Sequence, residues 1–458
     1  MSKLSIWNQE LVEKYNISGP RYTSYPTALQ FAEDFSEDDV FHALDGGEHD
    51  KPLSLYLHIP FCESICYYCA CNKVITKDKT KAGQYLDALI KEARMIAKAV
   101  KKRPVTQVHW GGGTPTFLSN EQISWLVSEL KVLFNIVQDD GEFSIEIDPR
   151  SIDKKTIPAL AKAGFNRLSL GVQDFNQKVQ NAVNRVQSEN DTRDIILQAR
   201  RYGFESISMD LIYGLPHQTV ESFSKTIDKV ITMAPDRISV FNYAHLPHRF
   251  KPQRRINSYD LPSAEEKLSI FETAINKLIE AGYVYIGMDH FALPHDELTK
   301  SQQAGELHRN FQGYTTQAGC DLVGLGVSSI SQINGLYSQN VRALDEYYDK
   351  IETDHLAVWR GCQLTSDDAL RREVIMQLIC HFKLDIQEFN KRHNIDFKEY
   401  FWQELDYLSN LEQDGLLTVT QDTIRVSAVG RLLIRNICMI FDTYLQEISQ
   451  VQNYSKAI

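Results

Sequence analysis

Leu53-Ser-Leu-Tyr56-Leu-His58-Ile-Pro60-Phe-Cys62-Glu-Ser-Ile-Cys66-Tyr-Tyr-Cys69-Ala-Cys71-Asn72 is the stretch around which the rest of the chain is read. An apolar, strand-like run leads straight into a loop that holds four of the eight cysteines. The spacing is C-x3-C-x2-C-x-C. A structural zinc site usually draws on two separated pairs, and no matching second pair follows here. A compact loop of three or four thiolates suits an iron–sulfur cluster, with zinc and reactive-thiol chemistry as the alternatives. Three thiolates can hold three irons of a [4Fe–4S] cluster and leave the fourth iron open, as catalytic zinc keeps an open position. Tyr56, Tyr67 and Tyr68 around the loop would shield such a site from water.

Outward from the loop, the chain has room for a large core. Its 458 residues are 43% hydrophobic and 24% charged, ordinary for a soluble globular protein. The net charge of -11 argues against binding nucleic acid or an anionic membrane surface. The N-terminal residues show no apolar signal core, and no run of about 18 apolar residues exists. The expected location is therefore the cytoplasm, with no membrane insertion. Thiols stay reduced there, and clustered cysteines mean metal or redox chemistry more often than disulfides. Cys320, Cys362, Cys380 and Cys438 stand alone in the sequence and read as core residues.

From residue 53 a rhythm sets in. Apolar runs at Leu53–Pro60, Gln107–Trp110, Phe143–Asp148, Arg167–Val172, Ser206–Tyr213 and Arg237–Tyr243 alternate with helical patterns near 84–100, 121–134, 155–163, 189–202 and 221–233. Six strand–helix units imply parallel pairing, because parallel neighbours need crossover connections. Six units fall short of a closed eight-stranded barrel, so the expected α/β architecture is an open, partial (βα)6 barrel; a doubly wound sheet is the alternative. In either case the chemistry gathers where strands end at their C-termini. Those ends carry the cysteine loop, Gly111-Gly112-Gly113-Thr114-Pro115, Glu146-Ile-Asp148-Pro149, Gly171-Val-Gln173-Asp174, Asp210-Leu-Ile-Tyr-Gly214 and Asn242-Tyr-Ala244-His245.

The flanks differ from this core. Residues 1–50 form an expected N-terminal arm, with prolines at 20 and 26 that break regular helix. The core spans 51–282. Residues 283–364 extend it with substrate-site loops, including a strand at Tyr283–Met288 and the Gly-rich Gly324–Ile330. Residues 365–458 form a mostly helical cover domain. There Phe397, Phe401, Leu405, Leu408 and Leu411 share one helical face, Leu416–Val419 and Thr423–Val426 make a small β-hairpin, and Ser427 caps a last helix.

C-x3-C-x2-C on a loop after the first strand of a partial barrel is the signature of the radical S-adenosylmethionine (SAM) superfamily, and the run Gly111–Pro115 resembles its glycine-rich motif. Glycines there let backbone groups approach a ligand with no Cβ in the way. Pro20–Thr27, Cys71-Asn72, His109–Thr116, Gly171–Phe175, Phe241–Leu246, Gly287–Phe291, His308–Tyr314 and Gly430–Cys438 narrow the likeness further. Together, over essentially the whole chain, they resemble the family of oxygen-independent coproporphyrinogen III oxidases (dehydrogenases) of haem, or porphyrin, biosynthesis.

The resemblance implies roles residue by residue. Cys62, Cys66 and Cys69 would ligate one [4Fe–4S] cluster, while Cys71 is a family hallmark that would not ligate. The family binds two SAM molecules. Tyr56, Gly112, Glu146 and Ile330 match positions around the first. Tyr68, Gly113, Thr114, Gln173, Arg185, Asp210 and Ala244 match positions around the second. One departure is Ala70, where the family commonly has Gly; a methyl there argues against a positive φ.

The implied activity is an oxidoreductase reaction. A 5′-deoxyadenosyl radical would take a hydrogen from each of two propionates of coproporphyrinogen III. Loss of CO2 and an electron would then give the vinyl groups of protoporphyrinogen IX. A reduced electron donor protein is the expected partner. Four substrate carboxylates call for local positive charge, and Arg21, Arg249, Arg254, Arg255 and Arg309 are the candidates. The rival reading is a haem chaperone of the kind found among relatives that share the cluster loop. Those relatives typically carry an aromatic where Cys71 stands and lack the Pro20–Thr27 arm.

Overall fold

The computed structural model describes residues 6–47, 50–100, 102–137, 141–446, 454 and 456. The chain forms two compact units. One comprises Phe31–Gly282 and Gly319–Gln363, and the other the described residues of Met1–Gln30, Tyr283–Ala318 and Leu364–Ile458. The stretch 283–364 is thus shared between them.

The first unit is built on the strands β1 (Leu53–Ile59), β2 (Pro104–Gly112), β3 (Glu142–Ile147), β4 (Arg167–Gln173), β5 (Ser206–Tyr213) and β6 (Arg237–Asn242). They pair in parallel in chain order, β1 to β2 and onward to β6. The helices between them are α1 (Lys81–Val100), α2 (Asn120–Leu133), α3 (Thr156–Ala163), α4 (Glu189–Arg201) and α5 (Val220–Met233). All five lie where the periodicity places them. Local chemistry sets their starts: Ser119 and Gln122 form a capping box on α2, and Thr219 and Ser222 form one on α5. In β1 every residue but Tyr56 is buried, as expected of a parallel strand covered on both faces.

The sheet continues past β1 in a way the periodicity does not announce. β7 (Asp321–Leu325) runs parallel to β1 on the side away from β2, with Tyr56 opposite Gly324. β8 (Ile330–Ile333), β9 (Leu336–Asn340) and β10 (Val358–Gln363) follow in antiparallel order. β1 is therefore an interior strand. Buried Glu92 on α1 holds the β7–β8 turn by accepting from Gly326 N (2.7 Å), Asn340 Nδ2 (2.6 Å) and Tyr347 Oη (2.8 Å).

In the second unit Phe397, Phe401, Leu408 and Leu411 are buried, with Leu405 half-buried. Leu417–Val419 and Thr423–Val426 pair as the expected hairpin, joined by a third strand, Lys383–Asp385. Ser427 caps the following helix at Gly430 N. The arm is strapped to the C-terminal segment. Arg435 donates to the carbonyls of Gly19 and Pro20, and Asn436 Nδ2 to Tyr15 O at 2.9 Å. Among the described residues no helix is long and apolar enough to cross a membrane.

Candidate active site

β1 delivers the cysteine loop, and the loop is braced before it turns back. Phe61–Cys62 pairs with Val74–Ile75, closing its base. Tyr67 N donates to Val183 O at 3.0 Å, and Asn184 Nδ2 to Ile65 O at 2.7 Å. Lys73 Nζ donates to the carbonyls of Cys69 and Cys71, and a His58 ring nitrogen lies 3.0 Å from Asn72 O. Ala70 does not adopt a positive φ.

Cys62, Cys66, Cys69 and Cys71 line one cavity of about 330 Å³ at the C-terminal ends of the parallel strands. Tyr68, Gly112, Gly113, Thr114 and Glu146 line it as well, as do Gln173, Arg185 and Asp210. Tyr56, Ile330 and Ala244 are not on its lining. Tyr56 stacks on His109, its register neighbour, at 5.9 Å between ring centroids. Ile330 lies so close to Gly324 on β7 that a Cβ there would stand 2.6 Å from the Ile330 carbonyl oxygen. Ala244 O accepts from Gln253.

The glycine run is required by space. Gly112 has φ +113°, and a Cβ on it would sit 2.7 Å from the His58 ring. A Cβ on Gly113 would sit 2.7 Å from the backbone of Pro60 and Phe61, where no side chain can move aside. The Glu146 carboxylate is held over this run by Gly112 N (3.3 Å) and His109 Nε2 (3.3 Å). Gln173 takes a left-handed φ of +70°, uncommon for a residue with a side chain, at an irregularity in the β4–β5 pairing. Such conformations cluster at functional sites.

Electrostatics divide the thiols. Burial pushes Cys62 up to about 12. The hydrogen bond from Cys71 brings Cys69 down to about 6, and that same bond raises Cys71. Burial alone raises Asp148, but the Arg185 and Arg150 guanidiniums outweigh it and hold its carboxyl below the ordinary range.

The candidate substrate arginines are placed differently. Arg249, Arg254 and Arg255 are exposed on the 246–260 loop. That loop is tied to the cysteine loop by Gln253 Nε2, which donates to Tyr68 O at 3.1 Å, and by Arg255, whose guanidinium lies over the Tyr67 ring at 5.2 Å. Arg21 and Arg309 belong to the other unit. Arg21 pairs with Asp289, and Arg309 Nε donates to Arg21 O at 3.3 Å.

Comparison with known proteins decides among the readings. Residues 56–230 match the radical SAM superfamily, and residues 364–433 match the HemN C-terminal domain. The oxygen-independent coproporphyrinogen III oxidase of Pseudomonas aeruginosa is 52% identical over 99% of this chain and 99% of its own. That of Escherichia coli K12 is 51% identical over 99% of this chain and 98% of its own. The solved structure of coproporphyrinogen III oxidase (HemN) from Escherichia coli, described as a radical SAM enzyme, matches with a TM-score of 0.92 at 50% identity. That match covers 96% of this chain and 99% of that one. This chain belongs to the oxygen-independent coproporphyrinogen III oxidase family.

Membership favours the oxidase over the haem chaperone. Radical SAM enzymes of this family use a [4Fe–4S] cluster and SAM, and the residues present fit both. The cysteines supply the soft thiolate donors that iron–sulfur clusters take. Beside them, Arg185 is buried with its Nε lacking a partner, a donor suited to an anionic group. Gly112 and Gly113 line the cavity, and a Cβ on either would press into His58 or the Pro60–Phe61 backbone. Among the described residues no trio of His, Cys, Asp or Glu converges as ligands of a single ion would.

Asp148 and Phe241 stand in quoted motifs but received no role, and Arg150 and Ser169 stand in no motif, yet all four line the cavity. Position is the signal that could have found them, because each lies in or just past a barrel strand.

Proposed function

We propose that this chain oxidatively decarboxylates two propionate side chains of coproporphyrinogen III to vinyl groups, giving protoporphyrinogen IX. The observation that carries this reading is the convergence of the cysteine loop, the glycine run, Glu146 and Arg185 on one cavity. When bound, the cluster and SAM supply a carbon-centred radical able to take a hydrogen atom from a propionate.

Cys62, Cys66 and Cys69 would hold the irons. Tyr56, Gly112, Glu146 and Ile330 would bind the first SAM, with Glu146 accepting from its ammonium or ribose hydroxyls. Tyr68, Gly113, Thr114, Gln173, Arg185, Asp210 and Ala244 would bind the second, with Arg185 pairing its carboxylate. Arg249, Arg254 and Arg255 beside the cysteine loop, together with Arg21 and Arg309, would meet the substrate carboxylates. Arg309 keeps a buried Nη1 without a partner, a donor that a carboxylate satisfies. A reduced electron donor protein would supply the electron, in the cytoplasm.

The test is anaerobic turnover of coproporphyrinogen III with SAM and dithionite. Protoporphyrinogen is the expected product. Stoichiometric haem binding without turnover would overturn the proposal.

A further inference from the structure

Arg150 sits in the short 3-10 turn Pro149–Ser151 just past β3, and its guanidinium is fixed on every side. Nε donates to both carboxylate oxygens of Asp148 (3.0 and 3.2 Å), and Nη2 to Asp148 Oδ2 at 2.6 Å. Nη1 donates to Asn184 O at 3.2 Å. Nη2 also reaches Cys66 Sγ at 3.3 Å. Arg185 Nη1 reaches the same sulfur at 3.3 Å and the same Asp148 oxygen at 3.2 Å. One buried thiol thus receives two guanidinium donors, both steered by one carboxylate.

We infer that Arg150 is a positioning residue that sets how readily the cluster accepts its electron, through its hydrogen bond to Cys66 Sγ. The inference rests on the reading of Cys62, Cys66 and Cys69 as cluster ligands. A donor on a ligating sulfur withdraws electron density and favours the more negative, reduced cluster, so it raises the reduction potential. A guanidinium does so at any physiological pH because it never loses its proton. Asp148 adds what a free arginine lacks, a fixed direction. The two arginines also differ. Arg185 has an unpartnered Nε for a ligand, whereas Arg150 is directed at Asp148, Asn184 and the sulfur.

The test is an EPR-monitored redox titration of the full-length, anaerobically reconstituted protein without substrate, after iron has been counted. In Arg150→Met the reduction equilibrium shifts about tenfold toward the oxidised cluster, a midpoint about 59 mV more negative for one electron. An unchanged midpoint at full iron content overturns the inference. If Arg150→Met does not retain iron, Arg150→Gln, which keeps length and an N–H, is titrated instead and is expected to shift in the same direction. Loss of iron from both variants also overturns it and gives Arg150 a folding role. A wild-type chain that takes up no iron fails the ligand reading itself, a result distinct from either.

Discussion

The Tyr22 hydroxyl donates to the Asp442 carboxylate at 2.9 Å, and both residues are buried. Burial pushes Asp442 up to about 6, against the pull of that hydrogen bond. A carboxyl raised in the folded state contributes stability that is complete below its ordinary value and is lost as pH rises through its folded value. From 3.8 to about 6 the loss is about 3 kcal/mol at 1.36 kcal/mol per unit. Asp442→Asn keeps an acceptor for Tyr22 and cannot ionise. Its stability relative to wild type should therefore climb between pH 4 and 6.5 and level off above. Denaturation midpoints of both proteins across that range check this, and parallel curves would refute it.

The cysteines should separate by iron content. Cys66→Ser loses most of its iron per chain. Cys71→Ser keeps it, because Cys71 acts on Cys69 by a hydrogen bond in place of a ligand bond. Iron and sulfide analysis after identical reconstitution decides, and equal losses in the two variants would make Cys71 a ligand.

Gly113→Ala places a methyl against the backbone of Pro60 and Phe61. Overpacking of this kind costs about 1–3 kcal/mol. The expected result is a lower melting temperature with weakened SAM binding by equilibrium dialysis. Ordinary stability and affinity together would show that the loop yields.

Glu92→Ala takes the acceptor from the Tyr347 hydroxyl and the Gly326 amide in the interior, and one of three acceptors from Asn340 Nδ2. Burial raises the Glu92 carboxyl, yet these donors still require an acceptor. Leaving a buried neutral donor without its acceptor costs about 1–3 kcal/mol. Glu92→Gln retains an acceptor and should recover part of the loss in urea titration.

Much of the first unit is written locally. Leu53–Ile59 carries Leu53, Leu55, Leu57 and Ile59 and is buried at every residue but Tyr56 because both faces are covered, and Ser119 with Gln122 marks a helix start in four residues. β7 escapes such a reading. It is five residues long, contains Gly324, and exists because β1, more than 260 residues earlier, offers it an edge. Arg150 escapes for a related reason: Asp148 is its near neighbour, but Asn184 and Cys66 reach it only through the fold. Arg21 reads as open positive charge until Asp289 arrives beside it.

The brace at Val183, Asn184 and Arg185 also sets an order of events. The cysteine loop is made early, yet the groups that hold Tyr67, Ile65 and Cys66 lie more than a hundred residues downstream. A ribosome must pass residue 185 before the loop has its backing, and residue 325 before β1 has its second neighbour. The loop thus takes its final shape only once the chain far downstream of it has been made, whatever shape its own residues favour.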